Sequence, residues 1–181
     1  MERDKALSPK SKKSTAFTLV ELLVVISIIA ILAGLSFPAV SGAMDSAKKT
    51  QAKSNVVQIA AAVTAYEVEY GKLPTLTGTT VDRNLMDILT GTNSRGIVFL
   101  EAQAWKKGKG GTNSSGVYCD PWSSTNAYAI SLDAGSADAT NYDNKINVST
   151  NGSASGSDTI MKKVGVWNVT ANPKYQVRSW E

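Results

Sequence analysis

Residues 14–38 read STAFTLVELLVVISIIAILAGLSFP, an almost wholly apolar stretch that keeps one carboxylate, Glu21, near its start. No charge occurs from Leu22 to Met44, a run of 23 residues. A helix rises about 1.5 Å per residue and a hydrocarbon core is about 30 Å thick, so the run is long enough to span a membrane. A carboxylate in lipid costs several kcal/mol on insertion scales, so Glu21 needs a reason to be there.

Around this stretch the 181-residue chain has room for one modest domain plus an anchor. Its net charge of +4 is uneven. Ahead of Phe17 stand Arg3, Lys5, Lys10, Lys12 and Lys13 against Glu2 and Asp4, and the rest is nearly balanced. A basic head before an apolar run is an orientation signal that keeps this end in the cytoplasm. It is not the basic face of a folded domain that nucleic-acid binding requires, so no nucleic-acid partner is expected. Cys119 is the only cysteine, which excludes an intrachain disulfide. Histidine is absent, removing the commonest general base and metal ligand. No arrangement of residues points to an enzyme.

The N-terminus admits two readings. In one, the basic head and apolar core form a secretory signal, Ser41-Gly42-Ala43 offers the cleavage site, and a soluble domain begins at Met44. The apolar core is long for such a signal, and Glu21 stays unexplained. In the other, cleavage falls between Ala16 and Phe17. Glu21 then lies one helical turn inside a new N-terminus, where the helix dipole favours negative charge. Its carboxylate can meet an α-amino group, its own or a neighbouring chain's, and so set the register between packed helices. A carboxylate tolerated at the membrane edge fits the same residues.

FTLVELLVVISIIAILAGLSFP resembles the N-terminal signature of type IV pilins and type II secretion pseudopilins, matching at Phe17, Thr18, Leu19, Glu21, the apolar run and Pro38. The resemblance implies cleavage by a prepilin peptidase before Phe17, methylation of the new amino group, and pairing of Glu21 with the amino terminus of an adjacent subunit. The family usually carries Gly before the cut, where this chain has Ala16. YGKLPT, GIVFLE, DPW, YAISLD, VWN and SWE are similar to the globular domain of major pseudopilins, although Ser123 stands where the family usually has Gly after the Trp. The implied partners are further copies in a filament, minor pseudopilins, the peptidase, an inner-membrane assembly platform and membrane lipid. The implied location is the inner membrane, with the globular domain periplasmic, and then the pseudopilus. A subunit of a type IV pilus or DNA-uptake system shares the same signature.

The expected organisation is a leader (1–16), a transmembrane and assembly helix (17–43), an amphipathic continuation of that helix (44–72) and a globular domain (73–181). The fold class is α+β: a long N-terminal helix packed on a small antiparallel sheet with long loops, the pilin fold. Val56, Ile59, Ala60, Val63, Tyr66, Glu67 and Tyr70 recur at helical spacing, with Val57, Ala61 and Ala62 widening the apolar face. Gly71 and Pro74 stop the helix, and Pro38 is expected to kink it or loosen one turn. Asp82 or Asn84 starts a short helix that ends at Gly91. Residues 106–116 read as a flexible surface loop without phosphate-loop spacing. Residues 127–133, 162–169 and 175–181 alternate as strands, and 134–158 reads as long loops around Lys145-Ile146.

Asp133, Asp138, Asn141, Asp143 and Asp158 are candidate oxygen ligands for calcium, an ion the resemblance associates with this region. The segment lacks the family's compact Gly-Asp-Gly pattern, and Asx residues make turns without any ion. Cys119 reads as a small buried hydrophobe, and Trp105, Trp122, Trp167 and Trp180 as packing residues.

Overall fold

A single helix, α1 (Leu19–Tyr70), takes up 52 residues of the chain. The computed structural model describes residues 17–106, 109–123, 125–133, 144–149, 153, 158–170 and 172–181. The chain divides into two units, one ending at Ala43 and the other comprising Met44–Glu181. In the first unit every described side chain from Phe17 onward is exposed, including large ones such as Leu19 at 86% and Ile31 at 62%. The helix is long and apolar enough to cross a membrane. It continues through Pro38, which lacks the N–H that would bond the Gly34 carbonyl.

In the second unit α1 turns amphipathic. Ala52, Asn55, Val56, Ile59, Ala62 and Val63 are buried at spacings of three and four. Val57 and Ala61, expected to widen this face, are exposed instead. Their place is taken by Asn55, whose Nδ2 donates to the Tyr128 hydroxyl at 3.1 Å. Gly71, at φ +69°, closes the helix by donating its N–H to the Glu67 carbonyl at 2.8 Å.

A second helix, α2 (Arg83–Leu89), is capped by Asp82, whose carboxylate accepts from the Leu85 N–H at 3.0 Å. GIVFLE forms no strand. The N–H groups of Phe99 and Leu100 both donate to the Leu89 carbonyl, tying this run under the end of α2. Three antiparallel two-stranded ladders follow: β1 (Gly111–Thr112) with β2 (Tyr118–Cys119), β3 (Tyr128–Leu132) with β6 (Val164–Asn168), and β4 (Ile146–Val148) with β5 (Asp158–Ile160).

The β3–β6 ladder is a middle layer. One face, with Tyr128, Ile130, Leu132 and Val166, joins Val56, Ile59, Val63, Leu85 and Leu89 in the main core. The other, with Ala129 and Trp167, joins Ile146 and Val148 in a second core. The helix thus packs on the sheet as expected, and the opposite face is covered as well, so all five residues of β3 are buried. The pair β4–β5 lies where long loops were expected. Ile146 and Val148 are fully buried, and their flanking Ser, Asn and Gly residues hide them from any periodicity.

Two further expectations are corrected. Residues 106–116 are not wholly a surface loop, because Gly110 and Gly111 are buried and Gly111 takes φ +87° against the Gln103 carbonyl. A Cβ there would collide with backbone. Residues 175–181 form no strand. A 3-10 turn (Pro173–Tyr175) precedes one isolated bridge, Trp167 to Arg178. Beside two backbone bonds to β6, the buried Asn168 side chain interrupts a regular ladder, accepting from Val177 N–H at 2.9 Å and donating to the Tyr175 carbonyl at 2.9 Å.

A Cβ added to Gly165 would sit 2.8 Å from Ile146 Cδ1 and 2.9 Å from Val148 Cγ1. Gly165→Ala is therefore expected to destabilise the domain by about 1–3 kcal/mol through overpacking. The denaturant midpoint, read by tryptophan fluorescence, checks this, and an unchanged midpoint would mean that β6 and β4 do not pack at this position.

Candidate functional site

The candidate site is the head of α1. Thr18 lies just outside the helix and Glu21 three residues on, and the two satisfy each other. The Glu21 Oε2 accepts from the Thr18 N–H at 2.8 Å and from the Thr18 hydroxyl at 2.7 Å. The Glu21 N–H donates to the Thr18 Oγ1 at 3.2 Å. This is a capping box, in which two orphaned helix-end donors are answered reciprocally. It explains why α1 starts at Leu19 and not at Phe17. The Leu22 N–H then makes the first helical bond, to the Thr18 carbonyl at 3.3 Å.

A Thr followed three residues later by a Glu before an apolar run is a sequence-level signature of a helix start. The helix dipole and an amino group are therefore not the only partners open to Glu21, because Thr18 stands three residues before it. In the isolated chain the carboxylate already has two donors, both from Thr18. Phe17 beside it is 72% exposed, as are the apolar side chains that follow. The site is thus a hydrogen-bonded polar cap on an uncovered apolar helix. It can pack against lipid or other helices, and it holds no nucleophile poised by a base. Pro38 is the fourth helical residue after Gly34, and Ala16 lies outside the described residues.

The calcium candidates do not come together among the described residues. Asp133 is buried, and its Oδ2 accepts from the Asn144 N–H at 2.9 Å, which is turn chemistry. The Lys163 ammonium also lies in the field of Asp133, a countercharge within the fold. Asp138, Asn141 and Asp143 lie outside the described residues, and Asp158 opens β5. No group of three or more His, Cys, Asp or Glu side chains that could hold a metal gathers among the described residues.

Cys119 is buried in β2, and burial together with the Asp120 charge pushes its thiol up, away from the reactive thiolate. Asp120 is itself buried and organises the DPW turn. Its Oδ1 accepts from the N–H groups of Trp122 at 3.0 Å and Ser123 at 2.8 Å. Ser123 continues the turn, its Oγ accepting from Thr125 N–H and Asn126 N–H. A serine therefore does local work where the resembling family usually has Gly.

Comparison with known proteins agrees with this geometry. Residues 11–37 match the family described as the prokaryotic N-terminal methylation motif. The chain is also similar to the type II secretion system core protein G of Pseudomonas aeruginosa, at 41% identity over 58 residues. That alignment covers 32% of this chain and 41% of the relative, so the chain matches less than half of the relative's length. No solved structure matches the chain. The head of the chain is therefore similar to the pilin and pseudopilin signature, and the long N-terminal helix with its small antiparallel ladders is an α+β arrangement consistent with the pilin fold.

Two outcomes are expected. Thr18→Val removes the cap, and losses at such positions are about 0.5–2 kcal/mol. Hydrogen exchange at the amides of residues 19–22 in detergent should speed up about 2- to 30-fold, and unchanged exchange would deny the cap its role. Burial pushes the Asp120 carboxyl up, against the pull of the Ser123 and Trp122 amides. The native state therefore holds this proton to higher pH than the unfolded chain. The associated stability is present below the ordinary carboxylate range and is lost as pH rises through the folded value. The unfolding midpoint of Asp120→Asn should gain on wild type as pH rises above the ordinary carboxylate range, and a difference constant with pH would contradict this.

Proposed function

We propose that the chain is a structural subunit of a type II secretion pseudopilus. Prepilin peptidase cuts between Ala16 and Phe17, and the new amino group is methylated. The helix from Phe17 to Ala43 holds the subunit in the inner membrane with its domain on the periplasmic side. Subunits then pass into a helical filament with their apolar helices at its centre, on an inner-membrane assembly platform and alongside minor pseudopilins. Contacts of this kind are heterologous and do not close, so the filament is open-ended.

The observation that carries the reading is Glu21. It is the one charge in the first 28 residues from Phe17, and the described apolar side chains of that stretch are all uncovered. Thr18 answers the carboxylate while the subunit stands alone. In a filament the amino group of a neighbouring Phe17 supplies a full positive charge, a stronger partner in a dry apolar layer. Similarity to a protein named for type II secretion supports the choice of system. The methylation motif is shared with type IV pilins, so a pilus or DNA-uptake subunit is the second reading. Calcium is not needed for this role.

Intact mass and N-terminal sequencing of the protein from native membranes test the processing step. The expected start is methylated Phe17, and a start at Met44 would mean a secreted domain and overturn the proposal. Glu21→Ala is expected to leave membrane insertion intact and to lower filament yield in cells without the wild type. A normal yield would remove Glu21 from assembly.

A further inference from the structure

Charge in the second unit is concentrated where α1 follows the uncharged run. Lys48, Lys49 and Lys53 lie on α1, and Lys174 and Arg178 come from the C-terminal segment that packs beside it. These five cations meet two carboxylates, Asp45 and Glu181, whereas the other residues from Met44 onward carry nine basic and ten acidic side chains. Asp45 is already engaged. Its Oδ2 accepts from the Lys174 ammonium at 3.2 Å and from the Tyr175 hydroxyl at 3.0 Å, and this holds its carboxyl below the usual carboxylate range. Glu181 is ion-paired with Arg178.

Between α1 and residues 176–181 lies an open cleft of about 410 Å³, with Lys49, Lys53, Gln176, Arg178 and Glu181 in its wall. The Lys53 ammonium is held against this wall by the backbone carbonyl oxygens of Arg178 and Glu181. Among the described residues no side-chain carboxylate pairs with Lys49 or Lys53, so the cleft keeps a surplus of positive charge. Lys49 comes five residues after Met44, about 7.5 Å along the helix, and Lys53 about 13 Å. A headgroup layer adds about 5–8 Å outside the hydrocarbon core, and a lysine stem reaches back several more.

We propose that this cleft takes the phosphate of an anionic phospholipid headgroup, making the membrane-proximal end of the domain a lipid-charge sensor. The proposal rests on reading residues 17–43 as the membrane span. Before assembly, the Lys49 ammonium, with Lys48 beside it on α1, would hold the headgroup phosphate, and Gln176, whose amide already donates to the Thr170 carbonyl, would offer its second amide hydrogen.

The test uses the full chain in phosphatidylcholine vesicles with trace spin-labelled phosphatidylglycerol or phosphatidylcholine, comparing wild type with Lys48→Gln/Lys49→Gln. Both carry the same leader, so leader charges cancel in the comparison. Preference for phosphatidylglycerol should fall about 5- to 30-fold in the double variant and lessen with salt, since a basic residue at a membrane surface is worth about 1 kcal/mol. Lys49→Arg should retain the preference, as should Lys72→Gln just beyond the far end of α1. An unchanged preference in the double variant, with the chain inserted, overturns the lipid site and leaves the anchor standing. Competition by millimolar glycerol phosphate would assign the cleft to a soluble phosphate and overturn the lipid source. A chain that fails to insert overturns the anchor, and the lipid site with it.

Discussion

A segment in lipid must satisfy every backbone N–H and C=O internally, and a protein core demands a covered apolar face. One helix, α1, meets both demands in different stretches of sequence. Up to Met44 it is apolar on all sides, and beyond that it carries an apolar face at spacings of three and four. The helix must also begin somewhere, and its first amides have no helical partner. Thr18 and Glu21 answer that need together. The carboxylate that looks out of place in an apolar stretch is thus part of the device that lets the helix start.

From Met44 onward, packing proceeds from α1 outward. The helix covers one face of β3–β6, and β4 covers the other, with Trp167 filling the second core beside Trp180. The Trp167 Nε1 donates to the Ser153 carbonyl at 2.7 Å, which satisfies the polar end of a nearly buried indole. Polar side chains fasten this small domain at several points. Asn55 joins α1 to β3, Asn168 holds the C-terminal segment, and Asp45 binds Lys174 and Tyr175. Lys163 ties β6 back to Glu67 on α1. The exposed ion pairs among these contribute little individually, and the buried amides specify the arrangement more firmly.

Elements with a long or strongly marked pattern were legible in the sequence. The helix from the apolar run to Gly71, the Asp82 cap of α2, and the alternating β3 and β6 all lie close to where their residues put them. The short β4 and β5 were not, because three residues among Ser, Asn and Gly carry no periodicity. The C-terminal segment alternates like a strand, yet it meets β6 through two backbone bonds mixed with bonds from the side chains of Asn168 and of its own Ser179. Tertiary hydrogen bonding overrode local pattern there.

By itself the sequence determined the long apolar run, the amphipathic switch after Met44 and the stop at Gly71. Each of these depends on residues close together in the chain or on composition. Only the tertiary structure decided that β3–β6 is covered on both faces, that Asn55 outranks Val57 as a buried position, and that Asp133 spends an oxygen on a turn. It also brought Lys49 and Lys53 to Gln176 and Arg178, from opposite ends of the domain's sequence, to form one charged cleft. The physical reason is range. Propensity, capping and hydropathy act over a few residues, whereas burial, charge pairing and layer order arise only when distant segments exclude water from one another.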